Sequence, residues 1–135
     1  MAKNRITYSR TCAHAIQYHI VLVIKYRKKV LTPNVMSDLI AYLHDIAREQ
    51  SYDIIEANGE EDHIHLLINA TPQDHIPNII KQLKGPSARE MFKQHPEIKE
   101  QLWGGHCWSP SYFVATTSEN TIKQIADYIK RQGEK

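Results

Sequence analysis

Residues 52–69 read YDIIEANGEEDHIHLLIN, two apolar stretches around a polar centre, and their alternation decides the fold. In the second stretch, HIHLLIN (63–69), successive side chains of a strand point to opposite faces. Ile64, Leu66 and Ile68 then face a core, while His63 and His65 share the other face, roughly 7 Å apart along the chain. Tyr52 to Ala57 reads as the partner strand, with Asn58-Gly59 as the turn of a hairpin. Upstream, AIQYHIVLVIK (15–25) is rich in β-branched and aromatic residues and predicts a buried strand.

Between these strands, Thr32-Pro33-Asn34 marks a helix start, and Val35, Leu39, Tyr42, Leu43, Ile46 and Ala47 recur at helical spacing. Downstream, Asp74 offers an N-cap, and Ile76, Ile79, Ile80 and Leu83 line a second helix that Gly85-Pro86 should break or kink before SAREMFKQH resumes. WSPSYFVATT (108–117) supplies a fourth strand. A polar link (118–121) leads to a last helix whose apolar stripe is Ile122, Ile125, Ala126 and Ile129. The order β-α-β-β-α-β plus a C-terminal helix is that of an α+β ferredoxin-like antiparallel sheet, with the first and third strands central.

Length and composition agree with one domain over residues 1–135, with a basic N-terminal segment (1–14) and a C-terminal link and helix (118–135). The chain has 135 residues, 41% hydrophobic and 24% charged, which excludes a disordered chain. The longest apolar run, Ile20 to Ile24, is too short to cross a bilayer. The start, MAKNRITYSR, lacks the apolar core of a signal peptide, so a cytoplasmic protein with no membrane partner is expected. Cys12 and Cys107 have no metal-ligand spacing and predict free thiols. Net charge is only +2 but segregated: residues 1–37 carry seven Lys and Arg with no acid, and residues 38–62 carry eight acids against Arg48. Such a dipole suits a basic face toward a polyanion, although a solvated face with no partner gives the same pattern.

Two local patterns bear on chemistry. His63 and His65 let two imidazoles converge on one cation, yet a bare His-x-His is most often not catalytic. The remaining histidines, His14, His19, His44, His75, His95 and His106, show no evident partner and read as structural or solvent-facing. On the last helix, Tyr128 and Gln132 stand four apart, hence on one stripe bordering the apolar face. A lone tyrosine there is usually a packed aromatic with its hydroxyl in water. Basic residues Arg27, Lys28 and Lys29 after the first strand, and Lys84 and Arg89 on the second helical region, are candidates for phosphate contacts. Tyr26 or Trp108 is available for base stacking.

Five collinear blocks carry a resemblance: YHIVLVIKYRKKVL (18–31), EDHIHLLI (61–68), IKQLKGPSAREMF (80–92), LWGGHCWSPSYFVATT (102–117) and DYIKRQ (127–132). In this order and spacing the chain resembles the HUH single-tyrosine transposases, the TnpA-type enzymes of the smallest bacterial and archaeal insertion sequences. HIH matches their histidine-hydrophobic-histidine signature, and Tyr128 with Gln132 matches their YxxxQ nucleophile helix. The resemblance implies a single-strand DNA transposase that cleaves and rejoins element ends without ATP. It implies Tyr128 as nucleophile, His63, His65 and Gln132 as metal ligands, and Mg²⁺ as the ion. It also implies a homodimer with composite sites that binds DNA hairpins.

The chemistry is consistent with those residue types. Two imidazoles and an amide oxygen leave an ion most of its charge and open positions for phosphate oxygens. That set is softer than Mg²⁺ prefers, so Mn²⁺ should substitute. A phosphotyrosine conserves the phosphoester for later reversal, so no nucleotide-binding loop is needed. Two other readings are a domesticated hairpin-processing relative and a non-catalytic ferredoxin-like nucleic-acid-binding module. The latter wants exposed aromatics on its central strands, where this chain places His63 and His65.

Overall fold

The computed structural model describes residues 7–8, 13–14, 16–70, 74–102, 105–116 and 121–132. Lys3, Arg5, Arg10, Cys12 and the link at 117–120 lie outside the described residues. A two-residue ladder joins β1 (Thr7–Tyr8) to β2 (Ala13–His14). The main sheet contains β3 (Ile16–Val23), β4 (Asp53–Glu60), β5 (His63–Ala70) and β6 (Phe113–Thr116) in the order β4-β5-β3-β6, with every neighbouring pair antiparallel. With helices α1 (Pro33–Gln50) and α2 (Ile76–Gln94) as the crossovers, this is the expected ferredoxin-like arrangement, β3 and β5 at its centre. A short α3 (Pro96–Gln101) follows α2, and α4 (Thr121–Gln132) closes the described chain. No helix among the described residues is long and apolar enough to cross a membrane.

The two faces of the sheet are built differently. Ile20, Leu22 and Ile24 with Ile64, Leu66 and Ile68 pack against Leu39 and Leu43 of α1 and Ile80 and Leu83 of α2, the main core. The opposite face carries a smaller cluster, Val21 and Val23 with Ile125 and Tyr128 of α4, flanked by Phe113 and Ile129. Helices α1 and α2 thus cover one side, and α4 lies on the side that His63 and His65 share.

Several boundaries differ from expectation. The first strand ends at Val23 because residues Lys25–Arg27 form a 3-10 turn. Strand β4 runs through Asn58 and Gly59 to Glu60, so the hairpin turn is Glu61-Asp62. Gly59 is needed for close approach, not for turning: a Cβ there would run into the His63 carbonyl oxygen and meet the Ile64 Cα at 2.8 Å. Helix α2 passes through Pro86 without a break, since a proline removes only one intrahelical hydrogen bond and packing on both sides holds the rest. It starts at Ile76, and His75 rather than Asp74 occupies the N-cap. Strand β6 is shorter than expected, and Trp108 makes only an isolated bridge to Ile24.

Helix α4 is rotated from the expected face. It buries Thr121, Ile125 and Tyr128, whereas Ile122 is 69% exposed. Thr121 also ties the helix start to β6, its hydroxyl donating to the Thr116 carbonyl at 3.0 Å.

Candidate active site

The strand register brings the histidines together with neighbours that their sequence positions do not suggest. His63 pairs with Val23 on one side and Glu60 on the other, and His65 with Val21 and Asn58. His63 Nδ1 donates to Asp62 Oδ1 at 2.8 Å, while Arg27 Nε donates to Asp62 Oδ2 at 2.8 Å. Burial pushes the Asp62 carboxyl up, but hydrogen bonds and charge from His63 and Arg27 outweigh it and hold the group below the usual carboxylate range. A histidine anchored by a carboxylate through one nitrogen is the arrangement that orients imidazole ligands toward metals.

His65 is anchored by a second histidine. Its Nε2 lies 2.8 Å from His19 Nδ1, with the rings stacked at 5.0 Å between centroids. Burial, then His19 and His63, push the His65 pKa down against an opposing pull from Glu56, so the ring is neutral near pH 7, and in the tautomer that donates Nε2–H to His19 its Nδ1 lone pair is free. The sequence reading missed His19. Its position alternates with Val21 and Val23 on the non-core face, but only the β3–β5 register sets it beside His65. His95, also read without a partner, contacts Asp38 Oδ2 through Nε2 at 2.7 Å.

Ligand atoms of Glu60, Asp62 and His63 all lie within 4.8 Å of one another, the one such metal-competent group among the described residues. A cleft of about 580 Å³ opens over Glu60 and His63 of this cluster, lined also by Arg27 and His65 on the sheet side and by Ile122 and Ile129 on the helix side.

Tyr128 and Gln132 are brought together, but they face elsewhere. Ser111 Oγ lies 2.8 Å from the Tyr128 hydroxyl and donates to Gln132 Oε1 at 3.2 Å. Burial raises the Tyr128 pKa, an effect that the Ser111 hydrogen bond and Arg131 only partly oppose. Gln132 lines a second cleft of about 360 Å³ with Ser109, Ser111 and the turn at Lys25–Arg27. Within one chain the helix therefore offers its Ile122–Ile129 flank to the histidines and its Tyr128–Gln132 side to Ser111.

The basic candidates separate into distinct roles. Lys28 and Lys29 are exposed, as is Arg89. Arg27 spends its Nε on Asp62 and keeps about a third of its side-chain surface open. Lys84 Nζ donates to the Ser109 carbonyl at 2.7 Å, and burial lowers its pKa. Lys84 and Lys25 nevertheless border one cleft. Trp108 is buried and donates Nε1–H to Ser87 Oγ at 3.2 Å, which removes it as a stacking surface. Tyr26 is 63% exposed. Both Tyr26 and Arg27 have left-handed φ, 61° and 51°, a conformation costing each residue about 1 kcal/mol or more.

A family model described as "Transposase IS200 like" matches residues 12–132. The ISDra2 transposase TnpA of Deinococcus radiodurans is 45% identical over 126 residues, 93% of this chain and 90% of that protein. The transposase for insertion sequence element IS200 of Salmonella typhimurium is 31% identical over 116 residues, 86% of this chain and 76% of that protein. Among solved structures, one from Deinococcus radiodurans R1 described as a transposase superposes with a TM-score of 0.89 at 41% identity, covering 93% of this chain and 97% of that one. The REP-associated tyrosine transposase bound to a REP hairpin shares the fold at 12% identity and a TM-score of 0.54, over 94% of this chain and 74% of that one.

Proposed function

The chain belongs to the IS200-like transposase family, and from that premise we propose that it cleaves and rejoins single-stranded DNA at the ends of its element through a 5′-phosphotyrosine on Tyr128. The observation that carries the reading is the histidine pair on the sheet face beneath α4, each ring fixed by a neighbour, Asp62 for His63 and His19 for His65. Each ring keeps one further nitrogen for a divalent ion, Mg²⁺ in the cell with Mn²⁺ as a substitute. The Glu60 carboxylate, within 4.8 Å of a His63 nitrogen, is a further candidate donor. When bound, the ion polarises the scissile phosphate.

The chain's own groups supply the rest. Attack forms the bond from the Tyr128 phenol oxygen to phosphorus and breaks the P–O3′ bond; the phenol gives up one proton and the departing 3′ oxygen takes one up, leaving a 3′-OH. The phosphoester persists on Tyr128, so an incoming 3′-OH reverses the step and no ATP is consumed. Exposed Lys28, Lys29 and Arg89 suit phosphates, and Arg27 contributes through its remaining guanidinium N–H groups. Lys84 acts through its cleft with Lys25. Hairpin binding is in keeping with the fold relative that binds a REP hairpin. The protein then works in the cytoplasm, on the DNA of a bacterial or archaeal cell.

Gln132 joins the same ion only if α4 shifts or a second copy supplies its helix, because Ser111 engages Gln132 and Tyr128 away from the histidine cleft. We take the second arrangement, a homodimer with composite sites, which also gives the exposed Ile122 something to pack against. Incubation with single-stranded DNA from the flanks of its own gene and Mg²⁺ should yield a DNA–protein adduct that survives denaturation. No adduct on any such strand overturns the proposal.

A further inference from the structure

We propose that Tyr26 is a stacking platform for one unpaired base of the DNA strand, and that the cleft between Tyr26 and Ser109–Ser111 receives that base beside Tyr128. The inference rests on the single-strand reading above and adds a base-binding site to it. Folding gives no reason for the placement of this ring: it is 63% exposed and belongs to neither hydrophobic cluster. Its backbone is nonetheless held in the left-handed region, as is that of Arg27, two consecutive residues of which neither is glycine or asparagine.

One tie from the candidate site and two backbone bonds to buried core residues hold this turn. Arg27 is tied to Asp62, the Lys25 amide donates to the Cys107 carbonyl at 2.9 Å, and the Arg27 amide to the Ile24 carbonyl at 2.8 Å. Strain kept by such tethers, for a side chain that joins neither core cluster, marks a group presented outward.

The cleft below the ring has matching chemistry. At about 360 Å³ it lies at the low end of small-molecule sites, roughly 300–1,000 Å³, enough for a flat heterocycle. Pro110 and Tyr26 line it with apolar groups above the buried Val23 and Ile24, and Ser111 and Gln132 give it polar groups. The same Ser111 contacts the Tyr128 hydroxyl, so a base seated here lies beside the Tyr128 helix as it packs within one chain. Lys25 Nζ stands 5.5 Å from the Tyr26 ring centroid, and exposed Lys28 and Lys29 follow, cations suited to a strand's phosphates. An aromatic face beside a basic track is how proteins hold single strands without reading sequence.

The test is a binding cycle in a Tyr128→Phe background, which prevents cleavage. Tyr26→Leu, Tyr26→Phe and unaltered Tyr26 are titrated with a single-stranded oligonucleotide from the gene flank, intact or with one abasic site moved along it. We expect Tyr26→Leu to bind the intact strand roughly tenfold more weakly and Tyr26→Phe to bind as Tyr26 does. At one position the abasic site should cost the Tyr26 protein a similar factor and cost Tyr26→Leu nothing further. Losses that multiply at every position, or a Tyr26→Leu protein that binds like its parent, overturn the base site. The reading it rests on is scored separately, by the covalent adduct of the protein with Tyr128 intact. An adduct with a multiplying cycle removes the base site alone.

Discussion

Asp62 grips the side chain next to it in sequence, its Oδ1 accepting from His63 Nδ1 at 2.8 Å while its Oδ2 accepts from Arg27. The strained basic turn and the metal-competent histidine therefore share one carboxylate, and a change at Asp62 is felt by both.

Asp62→Asn should lower Mn²⁺ affinity, measured by titration calorimetry, by about 10–100-fold, the usual effect of removing a group that orients a ligand. Its stability cost should depend on pH. The Asp62 pKa is held below the ordinary carboxylate value, so its contribution is complete above that value and disappears as pH falls through the lowered one. The urea midpoints of the two proteins should thus differ at pH 7 and converge only as pH falls below the ordinary carboxylate range and through the lowered Asp62 pKa. Unchanged metal affinity would mean that the carboxylate does not orient the ligand.

Tyr128→Phe should abolish the adduct while sparing metal and DNA binding. It forfeits one hydrogen bond with Ser111, a stability loss of about 1 kcal/mol. Mixed with His63→Ala under conditions where subunits exchange, it should recover part of the cleavage, because one of two shared sites is then intact. Verified heterodimers that stay inactive would exclude sites shared between chains.

The pH profile of cleavage should report the phenol. Burial raises the Tyr128 pKa above its ordinary value of 10.0, leaving fewer than about one phenolate in a thousand at pH 7. If the phenolate attacks, single-turnover rates should rise about tenfold per pH unit from pH 6 to 9. A flat profile would mean that the proton is lost after the rate-limiting step.

Gly59→Ala should destabilise the protein by about 3 kcal/mol, lowering Tm by roughly 10 °C, because the new methyl meets the backbone of His63 and Ile64. Backbone atoms cannot rotate away as a side chain does. Gly85→Ala makes a useful control: its Cβ would meet only the Arg89 Nη1, at 3.7 Å, and it should be nearly neutral or stabilising.

What lies within one element was legible in the sequence. Alternation put Ile64, Leu66 and Ile68 in the core and His63 and His65 opposite, and helical spacing placed Leu39 and Leu43 in the α1 interface. Gly59 and Pro86 misled because their local meaning, turn and helix break, was overruled by the close approach of the paired strand β5 and by packing along α2. The basic residues were visible, but not that Arg27 would be partly spent on Asp62 and Lys84 on the Ser109 carbonyl.

By itself the sequence determined the order of elements, the two faces of β5 and the spacing of Tyr128 and Gln132, since each follows from backbone geometry repeating every two or 3.6 residues. Only the tertiary structure decided which side chains meet across elements. The β3–β5 register set His19 diagonally across from His65, 46 positions away, and no local period encodes such a contact. Packing likewise chose the buried face of α4. Three isoleucines pointed to one stripe, but the sheet offers Val21 and Val23 for the Tyr128 ring and the Ser111 hydroxyl for its phenol. A ring that buries its body and satisfies its polar tip outcompetes an isoleucine for that place, so the helix turns and Ile122 is left facing solvent.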